Sequence, residues 1–352
     1  MRHDAPGASL ADVATAAGVS TATVSRALRG LDSVSAETKA RVCRVAEELG
    51  YVPSHSASAL ASGRTRSVAI VTPAIARWFY STLIDGVEHE LRRHGYDALL
   101  YAIAEDDDPA RGFRASVLRR RADAVVVASS TMTDEETEAL RSLRLPAVFV
   151  SVPGEGFPFV GVDDRTIGRL ATEHLIELGH RRIGHIYGHP KHESPCSPTA
   201  LRRAAWQETL AAHGLPTGPE LLATGDFSSE SGRIALHRLL DADPELTAVF
   251  VASDEMAYGA LRALAERGLT PGEDVSILGV DGHGLNDVLG LTSIEQPVRD
   301  QGRMAADVVL RLLEDIDDTS PSPGTATTTP NGPRIIYETT LVRRRSTGVP
   351  SH

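Results

Sequence analysis

The chain has 352 residues, 24% charged and 41% hydrophobic, with a formal charge of −11. That length holds a small domain plus one or two larger ones, with apolar content enough for several cores. No apolar run reaches membrane-spanning length, residues 1–8 carry no apolar signal segment, and Cys43 and Cys196 form neither a disulfide framework nor a metal spacing, so the expected compartment is the cytoplasm.

Residues 9–28 read as two short helices around a tight turn. Leu10, Val13, Ala14 and Ala17 mark one helical face, and Val24, Ala27 and Leu28 mark another. Gly18 can take the positive φ that ends the first helix, and Ser20 stands where its oxygen caps the second. This is the layout of a helix-turn-helix, whose second helix enters the DNA major groove. Residues 1–66 hold eight Lys or Arg against six acids, a net +2 that leaves −13 on the rest. So weakly basic a head holds phosphates modestly, and two heads on one site are expected.

A third helix is predicted over 35–49, with Val42, Val45, Ala46 and Leu49 closing a miniature core. Gly50 stops it, and 51–53 is extended ahead of a proline. Residues 54–63 are mostly small, with Leu60 the single large apolar residue; a helix of about ten residues is not stable alone, and composition by itself reads as a linker. From Ser67 strands and helices alternate. Strands are predicted at 67–71, 98–103, 124–128 and 147–151, and helices at about 81–94, near 111–120 and at 134–143. A short strand at 159–162 precedes a second series at 183–187, 221–224, 248–252 and 276–280, with helices between. A helix over about 297–313 leads to a Thr-, Ser-, Pro- and Gly-rich stretch at 317–333 that reads as a mobile loop. A strand-like 335–342 and a polar tail at 343–347 follow. Apolar runs separated by amphipathic helices indicate parallel sheets covered on both faces, here two doubly wound subdomains with a ligand cleft between them.

Several segments carry a resemblance that covers nearly the whole chain. They are Leu-Ala-Asp-Val-Ala at 10–14, Gly-Val-Ser-Thr-Ala-Thr-Val-Ser-Arg-Ala-Leu at 18–28, and Val34-Ser35 through Glu48-Leu-Gly-Tyr-Val-Pro53. Further on come Glu-His-Leu-Ile-Glu-Leu-Gly-His-Arg-Arg-Ile at 173–183, Val-Ala-Ser-Asp-Glu-Met-Ala at 251–257, Gly-Val-Asp at 279–281 and Leu-Thr-Ser-Ile-Glu-Gln-Pro at 291–297. In this order and spacing they resemble the LacI–GalR family of transcriptional regulators. The resemblance implies an all-α helix-turn-helix head over 1–53, a hinge helix over 54–63, and an α/β body like a periplasmic binding protein over 64–346. Within the body it implies an N-subdomain of about 64–161 plus 293–318 and a C-subdomain of about 162–290 plus 334–346, with a tail at 347–352.

By the same resemblance Thr21 and Ala22 face bases, Arg26 reaches guanine, and Ser20, Thr23, Ser25 and Arg29 serve the phosphates or the start of the recognition helix. Arg29-Gly30 stands where the family usually has Asn-Gly. In the hinge, Ala57 and Leu60 would meet DNA, with Leu60 wedged into the central minor groove. Ser58 replaces a common arginine there and weakens the grip. The effector site implied by the family comprises Trp78, Phe79, Ser151, Arg202, Phe227, Ser253, Asp254 and Asp281. Arg202 would hold ligand hydroxyls or carboxylates, Asp281 would accept from ligand hydroxyls, and the aromatic residues would stack on a ring. Phe79 and Phe227 fit core packing equally well. Ser151, Ser253 and Gly282 depart from the family's usual acid or Asp-Arg, Asn and Asp.

The expected function is that of a homodimeric, sequence-specific DNA-binding repressor on a near-palindromic double-stranded operator. A small-molecule effector controls it, a sugar or sugar derivative in the first reading and a nucleobase or nucleoside in the second. No metal, cofactor or membrane partner is expected. His180, His185, His189 and His192 crowd one region without a ligand spacing, and Cys196 beside them reads as inert. Enzyme signatures (phosphate loop, nucleophile elbow, dinucleotide fingerprint) are absent, and a transport-type solute-binding protein would need an export signal. A leucine wedge makes one testable demand: Leu60→Ala should weaken operator binding and leave the DNA unbent. Unchanged affinity in a mobility-shift titration, with the DNA bent as it is by the parent, would sink the hinge assignment.

Overall fold

The computed structural model describes residues 8–28, 33–51, 64–103, 114–128, 132–188, 194–317 and 332–351. Two compact units emerge, residues 1–65 and 66–352. The first is three helices, α1 (Leu10–Ala17), α2 (Thr21–Leu28) and α3 (Ala36–Glu48). Ser9 and Asp12 form a capping box on α1, and Gly18 ends it at φ 65°. Val13, Ala14, Ala17, Val24, Ala27, Val34, Val42 and Ala46 form its core, with Val19 and Tyr51 packed against it. Leu49, expected inside, is 41% exposed; the chain turns at Gly50 and Tyr51 covers the core instead.

The second unit contains two six-stranded sheets. One is built from β1 (Ser67–Thr72), β2 (Asp97–Ala102), β3 (Ala124–Ala128), β4 (Ala147–Val150), β5 (Phe159–Val162) and β11 (Arg334–Tyr337), in the order β11-β5-β4-β3-β1-β2, all parallel. The other holds β6 (Ile183–Gly188), β7 (Leu222–Gly225), β8 (Ala248–Val251), β9 (Ser276–Asp281), β10 (Thr292–Glu295) and β12 (Thr340–Val342), in the order β12-β10-β9-β8-β6-β7. Only β12 runs antiparallel. Runs such as Val-Val-Val at 125–127 are buried throughout because helices cover both faces of each sheet. We call the two halves the N- and C-subdomains.

Several boundaries differ from expectation. Strand β10 pairs with β9 in the C-subdomain, so the return crossing falls after Glu295 rather than before residue 293. The strand-like 335–342 is two strands, one in each sheet, and β11 therefore belongs to the N-subdomain. A helix near 111–120 is reduced, among the described residues, to a single 3₁₀ turn at Ala115–Leu118. Helix α4 (Trp78–Arg93) starts three residues early, which carries Trp78 to its first turn. The last long helix, α11 (Val298–Asp317), runs four residues further than expected, and most of the supposed loop lies outside the described residues.

Nor is the end of the chain a free tail. Ser346 is 1% exposed; its hydroxyl donates to Ile277 O at 2.6 Å and accepts from Thr292 N at 2.8 Å. Gly348 O lies 2.9 Å from His180 Nε2, and Gly348 N donates to Ser276 Oγ. These bonds satisfy backbone groups that β9 and β10 would otherwise bury unpaired.

In the N-subdomain, α4 lies against α11 at backbone distance. A Cβ on Gly86 would stand 2.1 Å from Arg299 O, and one on Gly302 would stand 2.2 Å from Leu83 O. The pair can approach this closely only because each helix offers a glycine at the contact. Gly86→Ala should cost about 1–3 kcal/mol through overpacking. Both tryptophans, Trp78 and Trp206, lie in the body, so the intrinsic-fluorescence urea midpoint reads this loss without interference from the head.

Candidate functional site

In the head, the expected recognition helix divides cleanly by exposure. Val24 and Ala27 are buried, whereas Thr21, Ala22 and Arg26 are exposed and Ser25 is intermediate. Positions 21, 22, 25 and 26 share one helix face. Ser20 accepts from Thr23 N at 3.1 Å and pairs with Thr23 Oγ1 at 2.9 Å, so both side chains are engaged in capping the helix. The outward face is therefore small, polar and singly cationic. Arg29, Ala57 and Leu60 lie outside the described residues.

In the body, the expected effector residues sit at the carboxyl ends of parallel strands, where open α/β sheets bind ligands. Trp78 follows β1, Ser151 follows β4, Phe227 follows β7, Ser253 and Asp254 follow β8, and Asp281 ends β9. Three of them carry positive φ: Ser151 at 68°, Phe227 at 65° and Asp281 at 124°. Such conformations cost on the order of 1–3 kcal/mol each and concentrate at ligand sites. Phe79 packs against the N-subdomain core, edge-on to Tyr80 at 5.4 Å.

Arg202 projects from α7 (Pro198–Ala212) and is 5% exposed. Its Nε and Nη2 each lie 2.8 Å from Asp164 Oδ1, and Nη1 donates to Ala252 O at 2.8 Å. Three of five N–H groups are thus used, and two have no partner among the described residues. Asp281 accepts from Gln296 Nε2 through Oδ1 at 2.8 Å, and Gln296 Oε1 accepts in turn from Gln301 of α11 at 3.1 Å. The other carboxylate oxygen of Asp281 has no hydrogen-bond partner among the described residues. Burial, then the neighbouring Asp254, push the Asp281 carboxyl well above its ordinary range, while Arg202 and Gln296 pull it down.

Ser253 and Asp254, expected at the effector, are turned inward. Ser253 caps α9 (Asp254–Glu266), its hydroxyl accepting from Met256 N at 3.3 Å. Asp254 is fully buried. It accepts from Gly282 N, His283 N and Asn286 Nδ2 at 2.7–2.9 Å and from Ser293 Oγ at 2.8 Å. Four donors fill its oxygens: two backbone amides of the turn after β9, one side-chain amide and one hydroxyl. Burial raises this carboxyl to about 6 against the pull of those bonds.

Residues not singled out in the sequence bridge the two subdomains. The Trp78 N–H donates to Glu255 Oε2 at 3.3 Å, and the Trp78 ring lies 5.1 Å from His283. Tyr258 meets His283 edge-on at 5.3 Å and donates to Asn286 Oδ1 at 2.8 Å. The Arg77 guanidinium stands 5.6 Å over the Phe227 ring. Burial lowers the His283 imidazole, whose Nδ1 accepts from Leu285 N. Burial raises the Glu255 carboxyl, opposed by the Trp78 amide and Arg77. Of these, only Glu255 falls inside the family-like segments quoted above, and nothing in its spacing marks it as bridging.

The histidines separate. His180 bonds Thr247 Oγ1, Ser276 Oγ and Gly348 O. His185 is fully buried and stacked on Phe250 at 4.6 Å, and burial drives its pKa down to about 3. Its Nδ1 donates to Phe250 O, while its Nε2 and the Trp206 indole N–H have no partner among the described residues. His189 and His192 lie outside the described residues. Among the described residues no group of three or more His, Cys, Asp or Glu is placed to hold a metal ion, and no helix is long and apolar enough to cross a membrane.

Comparison with known proteins matches residues 9–54 to bacterial regulatory proteins of the lacI family. Residues 65–329 match periplasmic binding proteins and the sugar binding domain of the LacI family. The HTH-type transcriptional repressor CytR of Escherichia coli (strain K12) is 35% identical over 312 residues, covering 87% of this chain and 90% of CytR. The lac repressor dimer bound to operator and the anti-inducer ONPF superposes with a TM-score of 0.81 at 26% identity, covering 97% of this chain and 99% of that one. A complex of the transcriptional regulator CelR with cellobiose gives a TM-score of 0.67 at 32% identity, covering 96% and 99%.

The buried Asp254 makes stability depend on pH with a definite sign. Its folded pKa of about 6 lies above the ordinary 3.8, so the folded chain binds the extra proton and loses stability as pH rises through that window. Asp254→Asn cannot titrate. Its stability relative to the parent should therefore improve between pH 4 and pH 7, by up to about 3 kcal/mol. Urea midpoints followed by tryptophan fluorescence at the two pH values check this, and a difference that does not change with pH would refute it.

Proposed function

The chain belongs to the LacI family of bacterial regulatory proteins, and on that premise we propose how its two units divide the work. It is a DNA-binding transcriptional regulator with an effector-binding body. In our reading it acts as a homodimeric repressor in the cytoplasm, and each head reads half of a near-palindromic operator. Thr21 and Ala22 lie against base edges, Arg26 donates to guanine, and Ser25 meets phosphate, while Ser20 and Thr23 fix the helix that presents them. Hinge residues Ala57 and Leu60, with Arg29 beside the recognition helix, complete the DNA surface.

The effector we propose is a sugar or sugar derivative held between the subdomains. One observation carries this: Asp281 at the end of β9 and Arg202 on α7 keep one carboxylate oxygen and two N–H groups without partners among the described residues. Acceptor and donors side by side suit adjacent hydroxyls, each of which gives and takes a hydrogen bond. The Trp78 and Phe227 rings offer apolar faces to a pyranose or a base. Ser151 lies at the opposing strand end, and Phe79, next to Trp78 in the chain, packs on the N-subdomain core. The CelR complex with cellobiose supports the sugar reading. Effector binding then shifts the subdomains between arrangements that favour or release the operator.

The test is a metabolite panel of sugars, sugar acids and nucleosides titrated against operator binding by anisotropy, with Trp78 emission read in parallel. A sugar should change operator affinity by about 5- to 150-fold, the usual range of allosteric coupling. Asp281→Asn should weaken that response. If only nucleosides act, the effector class is wrong while the regulator stands; if the parent binds no operator, the regulator reading itself falls.

A further inference from the structure

Helix α4 begins without an anion of its own. Its N-cap, Arg77, makes no side-chain cap hydrogen bond, and its first turn, Trp78-Phe79-Tyr80-Ser81, has no acidic residue. The first backbone amides of a helix carry the positive end of its dipole and need an acceptor. At Trp78 that acceptor is Glu255 Oε2, at 3.3 Å, from the other subdomain. Glu255 is itself in the first turn of α9. The half-buried carboxylate therefore lies where two helix N-termini, one from each subdomain, converge across the cleft. Two positive helix ends repel, and an anion between them turns that repulsion into attraction.

Two further contacts cross at the same place. The Trp78 ring lies against His283, and Arg77 stands over Phe227. Hydrogen bonds from Ser228 chiefly hold the Asp226 carboxyl below its ordinary range, with a smaller pull from Arg77 across the cleft. Because α4 is locked to α11 at Gly86 and Gly302, a hold on the first turn of α4 is a hold on the N-subdomain helix pair.

We propose that Glu255 is a positioning residue that latches the two subdomains together, its carboxylate capping the N-terminus of α4 from across the effector cleft. The inference rests on the cleft being the regulated site. It acts through α4 and the cleft angle, not through contact with effector. Removing the carboxylate leaves the first amide of α4 without its acceptor across the cleft, so the subdomains part. Glu255→Gln keeps an acceptor oxygen and the side-chain shape but loses the charge, so it should fall between the parent and Glu255→Ala.

The measurement is single-molecule energy transfer on the full chain, with no effector or operator present. Cys196 is exposed on the C-subdomain and accepts one dye. Cys43→Ser removes the head thiol, and Ser116→Cys on the exposed 3₁₀ turn supplies the N-subdomain site. Glu255→Ala should raise the ratio of open to closed molecules roughly tenfold, and Glu255→Gln about threefold. Unchanged distributions in both variants, with native tryptophan emission, would overturn the latch. Should the alanine variant fail to fold, the isosteric glutamine alone decides. Operator binding by the parent is scored separately, so failure of the latch and failure of the regulator reading give different results.

Discussion

The cleft depends on one buried carboxylate. Asp254, at the first position of a helix and wholly out of solvent, collects the amides of Gly282 and His283, the Asn286 side chain and the Ser293 hydroxyl. An unpaired carboxylate at that depth would cost several kcal/mol, so the turn after β9 must fold around it. That turn sets Asp281 at φ 124° with one oxygen on Gln296, and it sets His283 against Trp78. A residue that meets no open surface thus fixes those that do.

The body is divided but not loosely jointed. The chain passes between the sheets after β5, after β10 and after β11, so relative motion of the halves is a motion about three short connections. Closing contacts are few and polar: a helix-end hydrogen bond, a tilted ring pair and a guanidinium over a phenyl ring. Contacts of this kind are worth little individually, which suits an equilibrium that a ligand must shift by a few kcal/mol. The Asp281–Gln296–Gln301 chain ties the acid at the end of β9 to α11, and the Gly86 and Gly302 contacts tie α11 to α4. The head, at net +2 over residues 1–66 and attached to a body of −13, is poorly equipped to hold DNA alone. A weak, paired head is one that modest rearrangement can release.

Local signals were legible wherever one residue type answers one backbone need. Gly18 ends α1, Ser20 caps α2, and alternating apolar and amphipathic runs give nine of the twelve described strands close to their observed places, from β1 through β9, whereas β10 is not among those expected. The candidate acid Asp281 stands at the end of β9, and the candidate arginine Arg202 projects from α7. Misreadings arose where a segment's partner is remote. Residues 334–342 look like one strand, yet a step at 338–339 sends the two halves to different sheets. The polar run at 343–347 looks solvated, yet Ser346 is buried between β9 and β10.

The sequence by itself determined the architecture, the partner and the candidate ligand-facing residues. Helix caps, hydrophobic period and family-like segments are all local, and local order is what a linear pattern encodes. Tertiary structure alone decided which of those residues are spent internally. Asp254 and Ser253 face the core because a turn and a helix start need their oxygens, and Arg202 gives three N–H groups to Asp164 and Ala252. It alone brought Glu255 to Trp78, 177 positions away in the chain, because a helix end without its own cap takes the nearest acceptor in space.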